Sequence, residues 1–249
     1  MPRQIIAFFL CALAALIVGP DRATAEMGRC VPTGKDVYAG EDILVCGNGE
    51  GSARVVPKTT SPSKRLALAW RLTDRPPVYQ PVEHDHHLEN VIVRIEDGAI
   101  LAKTHSAYWL TSDRTEKANV IASWSPDSHL LIAGTQGIES AVVELFTFLP
   151  DDAVIGPLNL VTVLEPAALD QMKGLNDGKK YSFRITYLPG IAIDDQGLIH
   201  ASAYMEEQET REGPIYDLTA KATRTGELID VKVLSISEYS GPRISITVH

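Results

Sequence analysis

The segment at residues 83–89, EHDHHLE, concentrates the side chains of this sequence that are best suited to metal chemistry. Three of the seven histidines fall within it, interleaved with carboxylates. Imidazole and carboxylate groups are ligands of Zn²⁺, Ni²⁺ and Cu²⁺. Because RPPVYQP at residues 75–81 favours a loop, the segment is either a divalent transition-metal site or a solvated polar connector between two strands. The candidate metal ligands are Glu83, His84, His86 and His87.

The other histidines and the serines give weaker signals for chemistry. His105, His129, His200 and His249 each stand alone in the sequence. A G-x-S-x-G nucleophile motif is absent, and GIES at residues 137–140 lacks the second glycine that a strand-to-helix elbow requires. The sequence also has no P-loop, Rossmann or zinc-protease motif. We therefore predict no catalytic residue and no organic cofactor.

A run of charged residues, EEQETRE, occupies positions 206–212. It has no alternation of apolar and polar residues, and it lies between two segments with strand-like composition. We interpret it as a solvated hairpin tip. The alternative is an acidic contact patch for a basic partner.

The N-terminal segment has the layout of a secretory signal peptide. Arg3 precedes fourteen apolar residues at positions 5–18, and the small residues 23–25 follow a Gly-Pro break. A membrane anchor is the alternative, but it needs about 20 apolar residues. We predict cleavage after Ala25, a mature chain that starts at Glu26, and a periplasmic or secreted location.

The charge of the mature chain excludes two classes of partner. Loss of Arg3, Asp21 and Arg22 with the signal peptide leaves 21 basic and 31 acidic residues, a net charge of about −10. Such a surface repels the phosphates of nucleic acids and the headgroups of anionic membranes. We therefore expect a protein or a small molecule as partner, and neither nucleic acid nor membrane.

Cys30 and Cys46 are the cysteines that remain after cleavage. In an exported chain, two cysteines 16 positions apart favour one disulfide. Free thiols or a metal site are the alternatives, and neither cysteine has a histidine close in sequence. We predict a Cys30–Cys46 disulfide that closes an N-terminal segment at residues 26–57.

The rest of the chain reads as one mainly β domain at residues 26–249. Alternating apolar and β-branched residues predict antiparallel strands separated by turns. The clearest of these strands lie at residues 90–96, 140–148, 229–233 and 243–249. PAALDQMK at residues 166–173 predicts one short helix, with a proline in its first turn and Gly174 just past its end.

A turn followed by a strand occurs three times. SPSKRLALAW at residues 61–70 aligns with SPDSHLLIAG at 125–134, and more weakly with IDDQGLIHAS at 193–202. In each copy a Ser or Asp turn precedes a strand that enters the core. We predict three sheet units with equivalent buried leucines. The aligned positions are Leu66, Leu130 and Leu198, and Asp127 with Asp195.

The second copy, WSPDSHLLIAG at residues 124–134, resembles the W-S-P-D-G-x-x-L signature of TolB-like β-propeller blades. Trp124, Ser125, Pro126 and Asp127 match it, and Ser128 replaces the glycine. The resemblance implies antiparallel sheets and an exported protein that presents surfaces to partners. Propeller blades repeat about every 40–50 residues and a ring needs at least four. Three units spaced 64 and 68 residues apart are therefore not expected to close a regular ring.

These patterns favour an exported, non-enzymatic binding or structural module made of three blade-like sheet units. The repeated turn and strand and the lack of a nucleophile or acid–base motif support this interpretation. The alternative is a periplasmic metal-binding protein or a metal-dependent hydrolase that uses His84, His86 and His87.

A metal titration tests the histidine cluster. Three imidazoles within four residues bind a divalent ion weakly even in a flexible loop, whereas a site held by the fold binds it tightly and stabilises the folded state. We expect a small excess of Zn²⁺ or Cu²⁺ to shift the melting temperature of wild type no more than that of the triple variant His84→Ala/His86→Ala/His87→Ala. Stoichiometric metal in untagged protein, with a melting shift that the triple variant loses, would establish a metal site instead.

Overall fold

The structure is a computed structural model. It describes residues 28–35, 40–77, 87–105, 119–136, 141–172, 180–186, 190–210 and 212–239. The predicted signal peptide, the ligands Glu83, His84 and His86, and the predicted strand at residues 243–249 lie outside the described residues.

The described residues form three antiparallel sheets and one helix, which confirms the mainly β fold. The first sheet contains β1 (Cys30–Lys35), β2 (Asp42–Cys46), β3 (Ala53–Val55), β4 (Leu66–Leu72), β5 (Leu88–Arg94) and β6 (Ile100–Thr104). The second contains β7 (Asn119–Trp124), β8 (Leu130–Gln136), β9 (Ala141–Phe148) and β10 (Val154–Asn159). The third contains β11 (Tyr181–Ile185), β12 (Ile191–Ile193), β13 (Leu198–Glu207), β14 (Ile215–Thr225) and β15 (Leu228–Glu238).

Each sheet is an open meander in which neighbours in sequence are mostly neighbours in space. The strands of the first and second sheets follow one another in chain order. In the third sheet both β11 and β12 pair with β13. Within the described part of the chain, none of the three sheets closes into a barrel.

The second sheet lies between the other two. Its residues Leu131 and Phe146 pack against Leu68 and Trp70 of the first sheet, and we call this interface the first layer. Residues on the opposite face of the second sheet pack against the third sheet and the helix in a second layer, as Leu145 does. Because successive side chains of a strand point to opposite faces, β9 supplies both layers in alternation.

The helix α1 spans Leu160–Met172, so the prediction of a short helix at residues 166–173 was wrong in its length and its start. Asn159 caps the helix: its Oδ1 accepts the N–H of Val161 at 3.0 Å. Pro166 therefore lies inside the helix rather than in its first turn. Apolar burial compensates for the proline, because Leu160 and Leu164 are fully buried in the second layer.

The N-terminal hairpin folds over the outer face of the first sheet. Cys30 and Cys46 face each other in the register of β1 and β2 and form the predicted disulfide. Both pack in a cluster with small residues of β4 and β5, including Ala67 and Val91. Gly98 permits this close approach, since a Cβ there would lie 2.2 Å from the carbonyl oxygen of Gly28.

The three repeated turns share one hydrogen-bond pattern. The turn residue donates its backbone N–H to the carbonyl of the leucine that opens the next strand, and its side-chain oxygen accepts that leucine's N–H. The three pairs are Ser61 with Leu66 (2.8 and 3.1 Å), Ser125 with Leu130 (3.0 and 2.9 Å), and Asp194 with Leu198 (2.9 and 2.9 Å). The sequence repeat therefore corresponds to a repeated local structure.

Two details of the predicted repeat were wrong. The alignment placed Asp195 opposite Asp127 and residue 193 opposite Ser125, but Asp194 makes the contacts of the turn serine, because the third turn is one residue shorter. Leu66 is buried, but Leu130 and Leu198 are half-buried.

Hydrogen bonds and an ion-pair network join the sheets near these turns. Arg65 Nη2 contacts Asp152 Oδ2 of the second sheet's last turn at 2.6 Å, and Arg94 Nη1 contacts the same oxygen at 3.2 Å. Arg94 also pairs with Asp97 at 2.6 Å. The hydrogen bonds between sheets are Ser63 N to Ser128 Oγ (3.0 Å), Trp124 Nε1 to Thr59 O (2.9 Å) and Ile193 N to Ser123 Oγ (2.8 Å).

No helix among the described residues is long and apolar enough to cross a membrane.

The fourth residue of each repeated turn has a left-handed backbone, and substitutions at this position test the turn assignment. Gly197 (φ 75°) has open space where the Cβ of an alanine would lie, so Gly197→Ala should cost about 1 kcal/mol through backbone conformation alone. Lys64 (φ 58°) stands at the equivalent position, and Lys64→Gly should stabilise the fold by up to about 1 kcal/mol. Urea unfolding measures both effects.

Gly34→Ala is the matched control. Its added Cβ also has room, with Ile43 Cδ1 at 3.9 Å, and its φ is not positive. We expect it to change the free energy of unfolding by less than about 0.5 kcal/mol. If Gly197→Ala were as neutral as Gly34→Ala, the assigned turn conformation would be wrong.

Candidate functional site

Polar residues interrupt the first layer near one end. Asn90 lies opposite Trp70 in the register of β4 and β5, and opposite Thr104 in the register of β5 and β6. Paired residues of neighbouring strands share a face, and Trp70 belongs to the first layer. Asn90 and Thr104 therefore extend the face of the first sheet that meets the second sheet.

The second sheet presents a carboxylate to this end of the layer. Glu144 of β9 pairs with Ala133 of β8, which pairs with Ala122 of β7. Both alanines pack in the first layer, so Glu144 shares their face. Ala102 of β6 packs in the same layer, so three small side chains lie in this part of it, together with the large Trp70 that pairs with Asn90.

His105 bridges the two sheets by contacting Glu144 twice. Its backbone N–H donates to Glu144 Oε2 at 2.9 Å, and its Nδ1 lies 2.6 Å from Oε1. The Glu144 side chain is only 4% exposed, whereas that of His105 is 78% exposed. A buried carboxylate thus holds an imidazole, and the other nitrogen of that ring, Nε2, has no hydrogen-bond partner in the part of the chain that the structure describes. We call Asn90, Thr104, His105 and Glu144 the polar corner.

The carbonyl oxygen of the Asn90 side chain is buried without a hydrogen bond. Asn90 is 8% exposed, and no partner lies within hydrogen-bond distance of its Oδ1 in the part of the chain that the structure describes. An unsatisfied buried polar group costs about 1–3 kcal/mol, and such groups in native proteins call for an explanation. Thr147 Oγ1, also buried without a partner, lies away from the polar corner near the other end of β9.

The predicted histidine loop starts at the same end of the first sheet. β4 and β6 run in the same direction, so residue 73, after Leu72, and His105, after Thr104, leave the sheet at one end. His87, the described member of the cluster, contacts Thr73 Oγ1 through Nδ1 at 3.3 Å, and its Nε2 lies 3.6 Å from Asp74.

Metal binding by the cluster stays a prediction. Among the described residues no group of three or more His, Cys, Asp or Glu is placed to hold a metal ion. Glu83, His84 and His86 lie outside the described residues.

A second polar cluster lies on the outer face of the third sheet. His200 Nε2 contacts Asp194 Oδ2 at 2.8 Å, and His200 Nδ1 contacts Thr219 Oγ1 at 3.3 Å. The combination of hydroxyl, imidazole and carboxylate is that of a nucleophile triad. Here, however, Asp194 Oδ1 also accepts the N–H groups of Gln196 and Leu198 and closes the third turn. We assign this cluster to the stability of the turn.

The acidic run at residues 206–212 is only partly a hairpin tip. Glu206 and Glu207 belong to β13 and are buried, which corrects the expectation that the whole run is solvated. Arg184 compensates Glu206 at 3.0 Å, and Thr210 donates to Glu207 at 2.8 Å. Since these carboxylates are buried, they do not form an acidic patch for a basic partner.

Sequence reasoning missed the polar corner. Apart from the consecutive Thr104 and His105, its members lie far apart in sequence, and Asn90 stood in an alternating strand where a polar residue is ordinary. The available signal was position: Asn90 is the polar residue in phase with Ile92 and Leu88 on the apolar face of β5. An inward polar residue in an apolar stripe is informative.

Comparisons with family models, curated proteins and solved structures found no match for this chain.

The Asp194–His200 pair predicts a pH dependence. The hydrogen bond from His200, followed by that from Leu198 N–H, lowers the pKa of Asp194 below its ordinary value. A carboxyl with a lowered pKa in the folded state contributes stability that is present above its unfolded pKa of about 3.9, and this contribution is lost as the pH falls. Asp194→Asn should therefore destabilise the protein at pH 6, and the difference from wild type should shrink below about pH 3.5.

Urea unfolding at the two pH values measures this effect. Asp195→Asn is the control. Asp195 is the next residue in the chain and its side chain is exposed, so the substitution removes the same charge without breaking the pair. A deficit of Asp194→Asn that is equal at pH 6 and pH 3 would show that the pair contributes nothing electrostatic.

Proposed function

We propose that this protein is an exported, non-enzymatic binding module that holds a small ligand at the polar corner between the first and second sheets. The buried, unpaired Oδ1 of Asn90 carries this proposal. Its cross-strand partner Thr104 precedes His105, which contacts the buried carboxylate of Glu144, and Ala102, Ala122 and Ala133 pack in the same layer. Small-molecule sites combine apolar walls with a few oriented polar groups.

Two observations support export. The N-terminal residues have the layout of a signal peptide. The Cys30–Cys46 disulfide fits an oxidising compartment such as the periplasm or the extracellular space.

Binding accounts for the polar corner better than catalysis does. Glu144 holds His105 through two contacts, and Asn90 offers an acceptor. These groups recognise ligand atoms, but an amide oxygen is neither a nucleophile nor a general base. A hydrolase would need a nucleophile or an activated water placed beside the imidazole.

We also propose that the three sheets are blade-like units of the TolB-like type. Three turns with one hydrogen-bond pattern, each followed by a strand that enters the stack, support this relation. The polar corner would then lie at the end of two adjacent units opposite their repeated turns.

The proposal predicts that Asn90 is retained at a cost in stability. Asn90→Leu replaces the unpaired amide with an apolar side chain next to Ala102 and should stabilise the unliganded protein by about 1 kcal/mol or more. The same substitution should abolish ligand binding. Asn90→Ala, which adds no bulk, repeats the test if leucine does not fit.

Thr147→Val is the matched control. It also removes a buried hydroxyl without a partner, but in a different part of the second sheet. Urea unfolding measures stability, and melting with a compound set of amines, sugars and carboxylates measures binding. We expect at least one compound to raise the melting temperature of wild type and Thr147→Val but not of Asn90→Leu. A loss of stability in both Asn90→Leu and Asn90→Ala would mean that Asn90 is structural and the proposal wrong.

A further inference from the structure

We infer that β15 is a docking edge at which a second copy of this chain adds its own β15 in the antiparallel direction. The inference goes beyond the proposed function and does not depend on the polar corner. It follows from three features of β15: a free backbone edge, exposed apolar side chains, and a sequence that is complementary to itself.

β15 forms an outer edge of the third sheet. It is the last strand of that sheet and pairs only with β14 in the described part of the chain. It spans 11 residues and contains no proline. The edge strands β1 and β10, by contrast, contain Pro32 and Pro157. Because proline cannot donate to a ladder, it is one of the usual devices that prevent pairing at a sheet edge.

The backbone of the first half of β15 faces this edge. Thr225 and Leu228 pair across the two-residue turn at 226–227, which makes them a hydrogen-bonded pair of the ladder. Hydrogen-bonded and non-hydrogen-bonded pairs alternate, so every second residue from position 229 to 233 points its N–H and C=O away from β14. These groups have no other partner in the part of the chain that the structure describes.

Apolar side chains are exposed on the same strand. Three large apolar side chains are exposed among the described residues, and two of them lie on β15: Leu228 is 74% exposed and Leu234 is 50% exposed. Both lie on the outer face of the third sheet, because the alternating residue Val231 is buried in the second layer. Exposed apolar side chains on an unpaired edge favour association with another strand.

β15 is complementary to itself when two copies run antiparallel with Val231 opposite Val231. The facing residues then match in chemistry on both faces of the joined sheet. The pairs are Leu228 with Leu234, Ile229 with Val233, and Asp230 with Lys232, and the two-fold symmetry forms each of them twice. Cross-strand pairs of opposite charge or of apolar residues stabilise a sheet, whereas like charges directly opposite each other destabilise it. The same register brings the free N–H and C=O groups of the two copies together.

The neighbouring registers are less complementary. A register centred on Val233 would place Lys232 opposite Leu234. A register centred on Ile229 would place Asp230 opposite Leu228. Both lose the ion pairs and the leucine pairs, so the register about Val231 is favoured.

The acidity of the chain does not oppose this contact. The net charge is −9, but positions 221–232 hold three cations and two carboxylates. The bulge of β15 lies at Leu234, between Val233 and Ser235, so it ends the paired stretch after seven residues. Standard interfaces hold about 20–30 residues a side, and we therefore expect a dimer that dissociates on dilution.

The test is sedimentation equilibrium of the purified protein at roughly 2–200 µM, a range in which we expect wild type to pass from monomer to dimer. Asp230→Lys places lysines opposite each other in both symmetric pairs, and Lys232→Asp does the same with carboxylates. Each single variant should raise the Kd of the dimer at least about tenfold. The double variant Asp230→Lys/Lys232→Asp restores both ion pairs and should return the Kd to within about threefold of wild type.

Lys180→Asp is the matched control. It makes the same change of charge as Lys232→Asp, on an exposed residue just before β11 at the opposite edge of the third sheet. We expect it to leave the Kd unchanged. The side chains at positions 230 and 232 are also exposed, so all these variants should fold, and circular dichroism checks that they do.

Three outcomes would overturn the inference. The first is a wild-type monomer at every concentration, as would result if residues 243–249 occupied the edge of β15 within one chain. The second is a dimer whose Kd is the same in wild type and both single variants, because the contact would then lie elsewhere. The third is a double variant that dimerises as weakly as the single ones, because β15 would then not pair with itself about Val231.

Discussion

The structure depends on the burial of both faces of the second sheet. Adjacent residues of β9, Leu145 and Phe146, are fully buried in different layers, so this sheet has no face left for water. Each fully buried side chain of this size contributes roughly 1.5–3 kcal/mol, so this burial stabilises the stack of three open sheets. The two outer faces of the stack differ in what covers them. The disulfide-linked hairpin covers the first sheet, and the third sheet presents polar residues such as His200.

The polar corner places polar side chains within the first layer, which is otherwise packed with apolar residues. Asn90 stands in phase with the buried Ile92 and across from Trp70, where an apolar residue would stabilise the layer. Glu144 occupies the equivalent place on the second sheet, two residues from Phe146. Natural proteins depart from apolar packing at functional sites and lose stability there. We interpret the corner as such a departure.

The sequence predicts more of the fold than of the site, for physical reasons. Strand alternation and turn residues are local signals, and they predicted two of the clearest strands. The strand predicted at 90–96 is Leu88–Arg94, and the one predicted at 140–148 is Ala141–Phe148, so the ends differ by one or two residues. The disulfide followed from the cysteine count. The start of the helix was missed because Asn159 caps it from the end of a strand. The polar corner joins residues as far apart in sequence as Asn90 and Glu144, and its meeting point depends on how two sheets stack.

The central claim is that Asn90 Oδ1 is held ready for a donor from a ligand. Crystal structures of the protein grown with and without a compound that raises the melting temperature of wild type but not of Asn90→Leu test this claim most directly. The account predicts density for a hydrogen-bond donor of the ligand about 2.7–3.2 Å from Asn90 Oδ1, between the first and second sheets. A single ordered water that bonds Asn90 Oδ1 to protein groups identically in both crystals would contradict it, because the amide would then be a hydrated structural residue.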